Sequence, residues 1–558
     1  MNKKLLYALL SLCTLGTITG CSSNEPQNIS EVKTVTSAIE EQAEPAEDVA
    51  QEMTFVLSNL PDGLDPGVTD NSFSKYVLYN TFEGLVTYDQ TGSLVPGLAK
   101  DWSISEDGRT YTFNLRPDLK WSDGTPLTAS DFVYSILRVA TPETASRNLN
   151  MVTDYIVNAQ EYLEGKIGAE EVGVKAIDDS TLEITLKEPI SYYIDILSMW
   201  VYSPVQQATV EANGDAWSTK AETYVSNGPF KVSEMSISEN VVLEKNENYW
   251  NADNVKLEKI NFRYILDTST ALTAYEAGEV DGIASIPPTD YARLRAEDKG
   301  VKTYPTYGTI YYLINNGKAP YDNLKVREAL NLALDRQLIV DNIVQLDTQP
   351  AYSLLPPGYE IDGIEITEGR GTFGMSPSAE VEKAQQALAD AGYPNGENFP
   401  VLELSYYSDD VVKKVVEAMA QMWETNLNID VEVSSNEWVL FYEDVMEEDY
   451  SVAAMGLTAY YFHPMGFLTS AKTGDIANLS VYSNPEYDAL VEQIKTETDP
   501  NKSIELIRQA DALVSDDYFL IPLYYKTSDI LLHDNIQGAY MNAQATLFFK
   551  DTHVTGKQ

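Results

Sequence analysis

The chain has 558 residues, about four times the ~150 typical of one domain, so at least two large domains are expected. Lys and Arg total 38 against 85 Asp and Glu, a formal net charge of −47, which excludes a nucleic-acid binder that must neutralise phosphates and a polybasic membrane-surface protein. A hydrophobic fraction of 44% fills real cores, and two Cys with three His exclude a four-cysteine zinc site and a framework of several disulfides.

The N-terminus reads as a secretory signal. Lys3 and Lys4 precede an apolar core over 5–15 that is too short to remain in a bilayer as a spanning helix. It ends in Ile18-Thr19-Gly20-Cys21, which resembles the lipobox of bacterial lipoproteins. That resemblance implies a signal peptide over 1–20, cleavage before Cys21 and lipidation of Cys21. Cys13 then leaves with the signal, and no free thiol remains for catalysis. Residues 21–52 are polar and acidic, carry no aromatic residue, and are expected to be a disordered tether. No later run of 18 uncharged apolar residues exists, so the protein is expected to be anchored to a membrane and not threaded through it.

Order is expected from about Met53. A strand over 54–57 is stopped by Pro61, Gly63 and Pro66, and helical spacing covers 75–82. After a turn at 106–109, residues 111–115 alternate as a half-buried strand does. Thr128 and Asp131 resemble a capping box opening a helix over 132–138. A hairpin spans 172–187 with its tip at Asp178 and Asp179, and strands are expected over 241–243 and 260–265. Helices follow over 326–344 and 379–391, the second stopped by Gly392 and Pro394. The order strand 401–406, helix 411–425, strand 429–433 predicts a parallel α/β unit. A last helix covers 504–514 and a last strand 519–525. No repeat of 20 to 50 residues and no long low-complexity linker divides the body, so the domains are expected to be interleaved.

Several segments then become recognisable. They are Asn80-Thr81-Phe82-Glu83-Gly84-Leu85-Val86, Pro96-Gly97-Leu98-Ala99 with Trp102, Lys120-Trp121-Ser122-Asp123-Gly124 with Asp131-Phe132, and Asn227-Gly228-Pro229-Phe230 with Tyr249-Trp250. Ile314-Asn315-Asn316, Ala333-Leu334-Asp335-Arg336, Glu437-Trp438 and Ile521-Pro522-Leu523-Tyr524-Tyr525 continue the series. In this order, over 53–558, the chain resembles the family 5 extracellular solute-binding proteins, the oligopeptide- and dipeptide-binding type that serve ABC importers. The resemblance implies an α/β fold: a periplasmic-binding-protein-like two-lobed clamshell, type II and cluster C-like, with an additional small α/β domain. Lobe I would combine 53–86, 204–305 and 516–558, the small domain would be 87–203, and lobe III would be 306–515. The lobes would close on a ligand and be recognised by permease subunits with cytoplasmic ATPases. The resemblance further implies a monomer on the extracytoplasmic face of the cell membrane, held there by lipid, with no enzymatic activity, cofactor, metal or nucleic acid.

A receptor for many peptides must read the backbone, which can be paired as an added strand. By the resemblance, one edge maps to Asp70, Asn71 and Ser72 and the other to Gly456, Leu457 and Thr458. Trp438 maps to the wall, and on the alternating strand entering the second lobe one of Tyr311 and Tyr312 should face the cleft. An ordinary loop, a core strand and a core Trp remain the alternatives. Relatives that hold a free peptide α-amino group use an Asp just before a Tyr, but the matching pair here is Tyr460-Tyr461. Other ligand positions that are polar or basic in relatives appear here as Ala454, Val445, Val412 and Tyr407. A buried ammonium without a carboxylate is costly. Three alternatives follow: a blocked or longer peptide, a carboxylate supplied from elsewhere, or a non-peptide solute such as a metal chelate or oligosaccharide. The cleft should be more apolar and aromatic than in relatives. A pheromone receptor and a secreted hydrolase are the remaining rivals.

Two other signals carry little. Gly369-Arg370-Gly371-Thr372-Phe373-Gly374 fits GxGxxG, but Ser376-Pro377 reads as the helix start, after the glycines and not at them. His463, His533 and His553 lack metal-ligand spacing.

Overall fold

The computed structural model describes residues 49–556 apart from 237, 362, 460 and 543. The signal peptide, Cys21, most of the tether and Tyr460 therefore lie outside the described residues. The N-terminal end of the body is tied down early. Gln51 donates to Val554 O (2.9 Å) and accepts from Val554 N–H (2.9 Å), and the first strand is Glu52–Leu57.

Ten strands form one mixed sheet. Their order across it is Val431–Asn436, Leu402–Tyr407, Val452–Thr458, Val301–Ile314, Leu520–Leu532, Gly282–Ile283, Glu52–Leu57, Lys259–Tyr264, Asn240–Lys245 and Phe230–Ser236. The two long central strands account for the interleaving. Val301–Ile314 and Leu520–Leu532 pair antiparallel, from Val301 opposite Leu531 to Pro305 opposite Thr527. The register then breaks, resumes at Thr309 opposite Tyr525, shifts again between Ile310 and Tyr311, and ends with Leu313 opposite Leu520. Pro305 has no N–H to give to a ladder, which suits it to this break. Beyond the break, Val301–Ile314 also pairs with Val452–Thr458, while on the near side Leu520–Leu532 pairs with Gly282–Ile283. Each long strand thus belongs to both halves of the sheet.

Residues 309–314 are nearly all β-branched or aromatic because both of their faces are covered. Tyr311 and Leu313 enter one core, and Tyr312 and Ile314 enter the other. A separate antiparallel sheet has the order Ala99–Ile104, Thr110–Leu115, Thr181–Thr185, Val174–Asp178. Thr110–Leu115 alternates as read, burying Tyr111, Phe113 and Leu115. Helix Ala129–Val139 begins where Asp131 accepts the Thr128 N–H at 2.8 Å.

The parallel unit is present: Leu402–Tyr407 runs parallel to Val431–Asn436 across helix Asp410–Leu427. The helix expected over 326–344 is instead broken into Leu324–Leu332, Arg336–Ile339 and a wide turn Val340–Val344. Asp335 recaps the chain there, accepting the Leu338 N–H at 2.8 Å. The fully buried Arg336 guanidinium spends its donors on Pro522 O (2.8 Å), Asn331 O and Asn331 Oδ1 (both 2.9 Å). The last helix is longer than read, Pro500–Asp516 behind the Asp499 cap, and the strand expected over 519–525 continues to Leu532.

The recognisable motifs knit this scaffold. Glu83 accepts from Tyr249 Oη (2.5 Å) and Trp250 Nε1 (2.6 Å), and its backbone exchanges two bonds with Asn227. Asn80 bonds Leu547 O and accepts the Phe549 N–H. A Cβ at Gly228 would lie 2.6 Å from the Thr81 carbonyl carbon, so the close approach of these two segments requires glycine.

Candidate ligand cleft

The hydrogen-bond parity of one ladder defines an open edge. Val452–Thr458 lies antiparallel to Val301–Ile314 with Thr458 opposite Gly308 and Val452 opposite Ile314. Just past its two ends, Asn315 N–H donates to Ser451 O (3.1 Å) and Ala459 N–H donates to Tyr307 O (2.8 Å). Residues exchanging bonds in such a ladder alternate with residues that do not. Ala453, Met455, Leu457 and Ala459 therefore bond inward, and Ala454, Gly456 and Thr458 turn their N–H and C=O to the other side. On that side Leu402–Tyr407 is registered only against Val452 and Ala453. Among the described residues no strand is registered against 454–458 there, and Gly456 is exposed.

Aromatic side chains line one flank of this edge. Tyr407, at the end of the neighbouring strand, meets Trp438 edge-on at 5.2 Å and Phe441 at 5.7 Å. Trp438 stacks on Tyr442 at 5.5 Å. Helix Trp438–Met446 buries Phe441 and Val445 and leaves Trp438 48% exposed, with Val439 and Leu440 also exposed. Trp438 is therefore not a core residue. Tyr311 is buried opposite Met455, with its backbone inside the ladder.

The residues at 70–72 lie at the start of helix Ser74–Thr81. Asn71 Oδ1 accepts the Phe73 N–H (2.8 Å) and Ser74 N–H (3.2 Å), so its side chain organises the helix start. Asp70 pairs with Arg147 (2.9 Å), whose guanidinium also holds Asp62, and Ser72 is exposed. No direct contact joins 70–72 to 456–458 among the interactions seen.

Two lysines absent from the sequence reading border these segments, Lys75 on the helix after 70–72 and Lys526 beside Thr458. Lys75 extends its ammonium over the Trp200 ring, 4.5 Å from the centroid, and Trp200 is fixed by its Nε1–H on Thr69 O (2.8 Å). Burial pushes Lys75 down to about 8, the positive charge of Lys526 adds to this, and Asp70 opposes it. Lys526 occupies the break between the long strands and donates to Thr458 Oγ1 at 2.7 Å. Burial lowers its pKa as well. A Cβ on Gly308 would stand 2.7 Å from Lys526 Cδ and 3.1 Å from Leu457 O, so the glycine makes room for the lysine stem. Nothing in local spacing places Lys526 on Thr458, because the contact depends on the register of two strands 68 residues apart.

Elsewhere, the small sheet's neighbourhood touches the far half of the molecule. Ser191 N–H donates to Lys495 O (3.0 Å), Lys495 pairs with Glu188, and Tyr192 stacks on Tyr461 (5.7 Å) and His463 (4.6 Å). His463 is buried, burial pushes it down to about 3, and its Nδ1 accepts the Met465 N–H at 3.3 Å. It therefore serves as a neutral stacking surface. In the glycine-rich loop Arg370 pairs with Asp511 (3.0 Å) and bonds Leu355 O (2.7 Å). The next helix begins only at Val381, later than the Ser376-Pro377 start expected. Among the described residues no group of three or more His, Cys, Asp or Glu is arranged to hold a metal ion.

Comparison with known proteins gives a consistent result. Residues 93–478 match the model of the bacterial extracellular solute-binding proteins, family 5 (middle). The oligopeptide-binding protein OppA of Bacillus subtilis (strain 168) is 33% identical over 88% of this chain and 91% of that protein. The Escherichia coli (strain K12) protein named "Probable deoxycholate-binding periplasmic protein YgiS" is 32% identical over 88% of this chain and 92% of that one. The crystal structure of Haemophilus influenzae OppA in complex with RPPGFSPFR superposes with a TM-score of 0.72 at 31% identity, covering 91% of this chain and all of the other.

Proposed function

This chain belongs to the family 5 bacterial extracellular solute-binding proteins, and on that premise we propose that it is the extracytoplasmic receptor of an ABC importer. It captures oligopeptides in a cleft between its lobes and delivers them to the permease. It acts as a monomer anchored through lipid on Cys21 and performs no catalytic step. Lobe I is assigned to 53–86, 204–305 and 516–558, the small domain to 87–203 and lobe III to 306–515.

The observation that carries this reading is the open strand edge at 454–458 beside Tyr407 and Trp438. An extended peptide can add there as a further strand, using the outward N–H and C=O of Gly456 and Thr458. Its side chains would alternate, and one set would face the aromatic flank. Relatives named for oligopeptides support the ligand class. Mass spectrometry of ligands released from the purified protein tests it. A reproducible set of short peptides is expected, and a metal chelate or glycan with no peptides would overturn it. Cys21→Ser should release the protein from the membrane fraction, and full retention there would sink the lipid anchor.

A second reading, an apolar non-peptide solute, is favoured by the exposed Trp438, Val439 and Leu440 and by the relative named for deoxycholate. Recovery of an amphiphilic small molecule in place of peptides would establish it.

A further inference from the structure

We infer that the glycine-rich loop at 369–371 and helix Pro500–Asp516 enclose a second small-molecule site, apart from the candidate cleft, for an apolar carboxylate the size of one amino acid. None of the residues lining it belongs to the open edge at 454–458 or to the aromatic flank beside that edge. The inference goes beyond the receptor reading and does not depend on what the cleft binds.

Three observations lead to it. First, the space has the right size and lining. A cavity of about 290 Å³ lies between the loop and the helix, with Leu355, Ile366, Phe373 and Ala512 on its apolar side. Ligand pockets begin at roughly 300 Å³, so the space suits one amino-acid-sized molecule and not a dinucleotide. Second, the loop keeps it open. Gly369 has a φ of +74°, which by itself calls for glycine. Gly371 lies outside the left-handed region, and a Cβ there would meet nothing within 4 Å. Neither backbone conformation nor packing requires glycine at 371, and a longer side chain would enter the empty space. Third, one cation on the wall is fixed but not neutralised. Arg370 is spent on Asp511 (3.0 Å), Leu355 O (2.7 Å) and Tyr525 Oη (2.8 Å). Arg508 shares a helix face with Asp511 and Ala512 and is held only by backbone carbonyls, Nε on Ile366 O (2.6 Å) and Nη2 on Glu365 O (3.1 Å). Carbonyls orient a guanidinium without cancelling its charge, and among the described residues no carboxylate pairs with Arg508. Its Nη1 donors are left for an anion. Glu368 lines the same cavity and makes no ion pair among the described residues, so an ammonium on the ligand would have a partner.

The carboxylate can come from a free amino acid or from a branched organic acid without an amine, and one experiment separates them. The full chain, stripped of co-purified ligand, is titrated by calorimetry with leucine, isocaproate and leucinamide, with and without a pentapeptide pool filling the cleft. Leucine or isocaproate should bind, and should bind equally when the pool is present. Leucinamide, which lacks the carboxylate, should bind at least ~5-fold more weakly than leucine, as expected for losing a hydrogen bond to a charged group. Leucine exceeds isocaproate if the amino acid is the source and Glu368 takes its ammonium, and the order reverses if the organic acid is. Gly371→Leu, which fills the cavity, should weaken the small carboxylate at least ~10-fold, and Arg508→Met at least ~5-fold. Both variants should bind the pentapeptide pool within about 2-fold of wild type. Urea unfolding checks that each variant is folded, and Arg508→Met carries the test if Gly371→Leu is not. Absence of binding by leucine and isocaproate overturns the site. So does binding that survives both substitutions, or that the pentapeptide pool displaces, since either places the small molecule elsewhere. Failure of the pool to bind removes the receptor reading alone, because the two substitutions read the second site without it.

Discussion

The parity of the Val452–Thr458 ladder makes two adjacent prolines behave oppositely. Leu457 bonds inward, so Leu457→Pro removes its N–H from the buried Thr309 carbonyl. A buried acceptor left unsatisfied costs about 1–3 kcal/mol, before any clash of the ring. Gly456 turns outward, so Gly456→Pro removes a donor that serves no ladder bond. Its new Cβ would crowd Ile310 Cδ1 at 2.7 Å, the far end of a flexible side chain, and meet Thr309 O at an ordinary 3.7 Å. Stability should therefore change by less than about 1 kcal/mol. A peptide added at that edge loses one main-chain hydrogen bond, about 0.5–1.5 kcal/mol or roughly 2- to 12-fold in Kd. It loses more if the ring blocks its approach. Urea unfolding reads the first quantity and calorimetry with a pentapeptide pool reads the second. If Gly456→Pro destabilises as much as Leu457→Pro, or binds the pool as tightly as wild type, the assignment of the open edge is wrong.

Other substitutions separate scaffold from cleft. Glu83→Ala strands the Tyr249 and Trp250 donors and should cost about 2–4 kcal/mol in urea unfolding with peptide affinity unchanged; a loss of affinity at full stability would contradict the scaffold role. Trp438→Ala should change stability by less than about 1 kcal/mol and weaken peptide binding by about 3- to 10-fold, since the ring is half exposed beside the edge. Unchanged affinity would remove Trp438 from the cleft. His463 titrates near 3 when folded, below its ordinary value of 6.5. The unfolded chain therefore binds one more proton between those values, and stability falls as pH drops through that window, by up to about 1.4 kcal/mol per pH unit. His463→Asn should flatten the stability curve between pH 6.5 and 4.5, and parallel curves for the two proteins would refute this.

Local chemistry is written plainly in this sequence. Alternation at 110–115, the Thr128–Asp131 helix start and the parallel unit from Leu402 to Asn436 all follow from side chains a few residues apart. The motifs at Asn80–Glu83, Asn227–Gly228 and Tyr249–Trp250 identified the family, yet they bind the scaffold to itself and do not form the edge at 454–458. Helix breaks were harder to read. Asp335 interrupts 326–344 because Arg336 turns inward to Pro522, a partner 186 residues away.

Composition argued against a nucleic-acid binder but says nothing of where the few lysines of so acidic a chain are placed. The open edge is likewise a tertiary property. It exists because Leu402–Tyr407 parts from Val452–Thr458 after Ala453, while parity is set by Val301–Ile314 on the other side. A strand's own residues decide that it can pair; its neighbours decide which of its backbone groups remain free, and here that choice makes the candidate site.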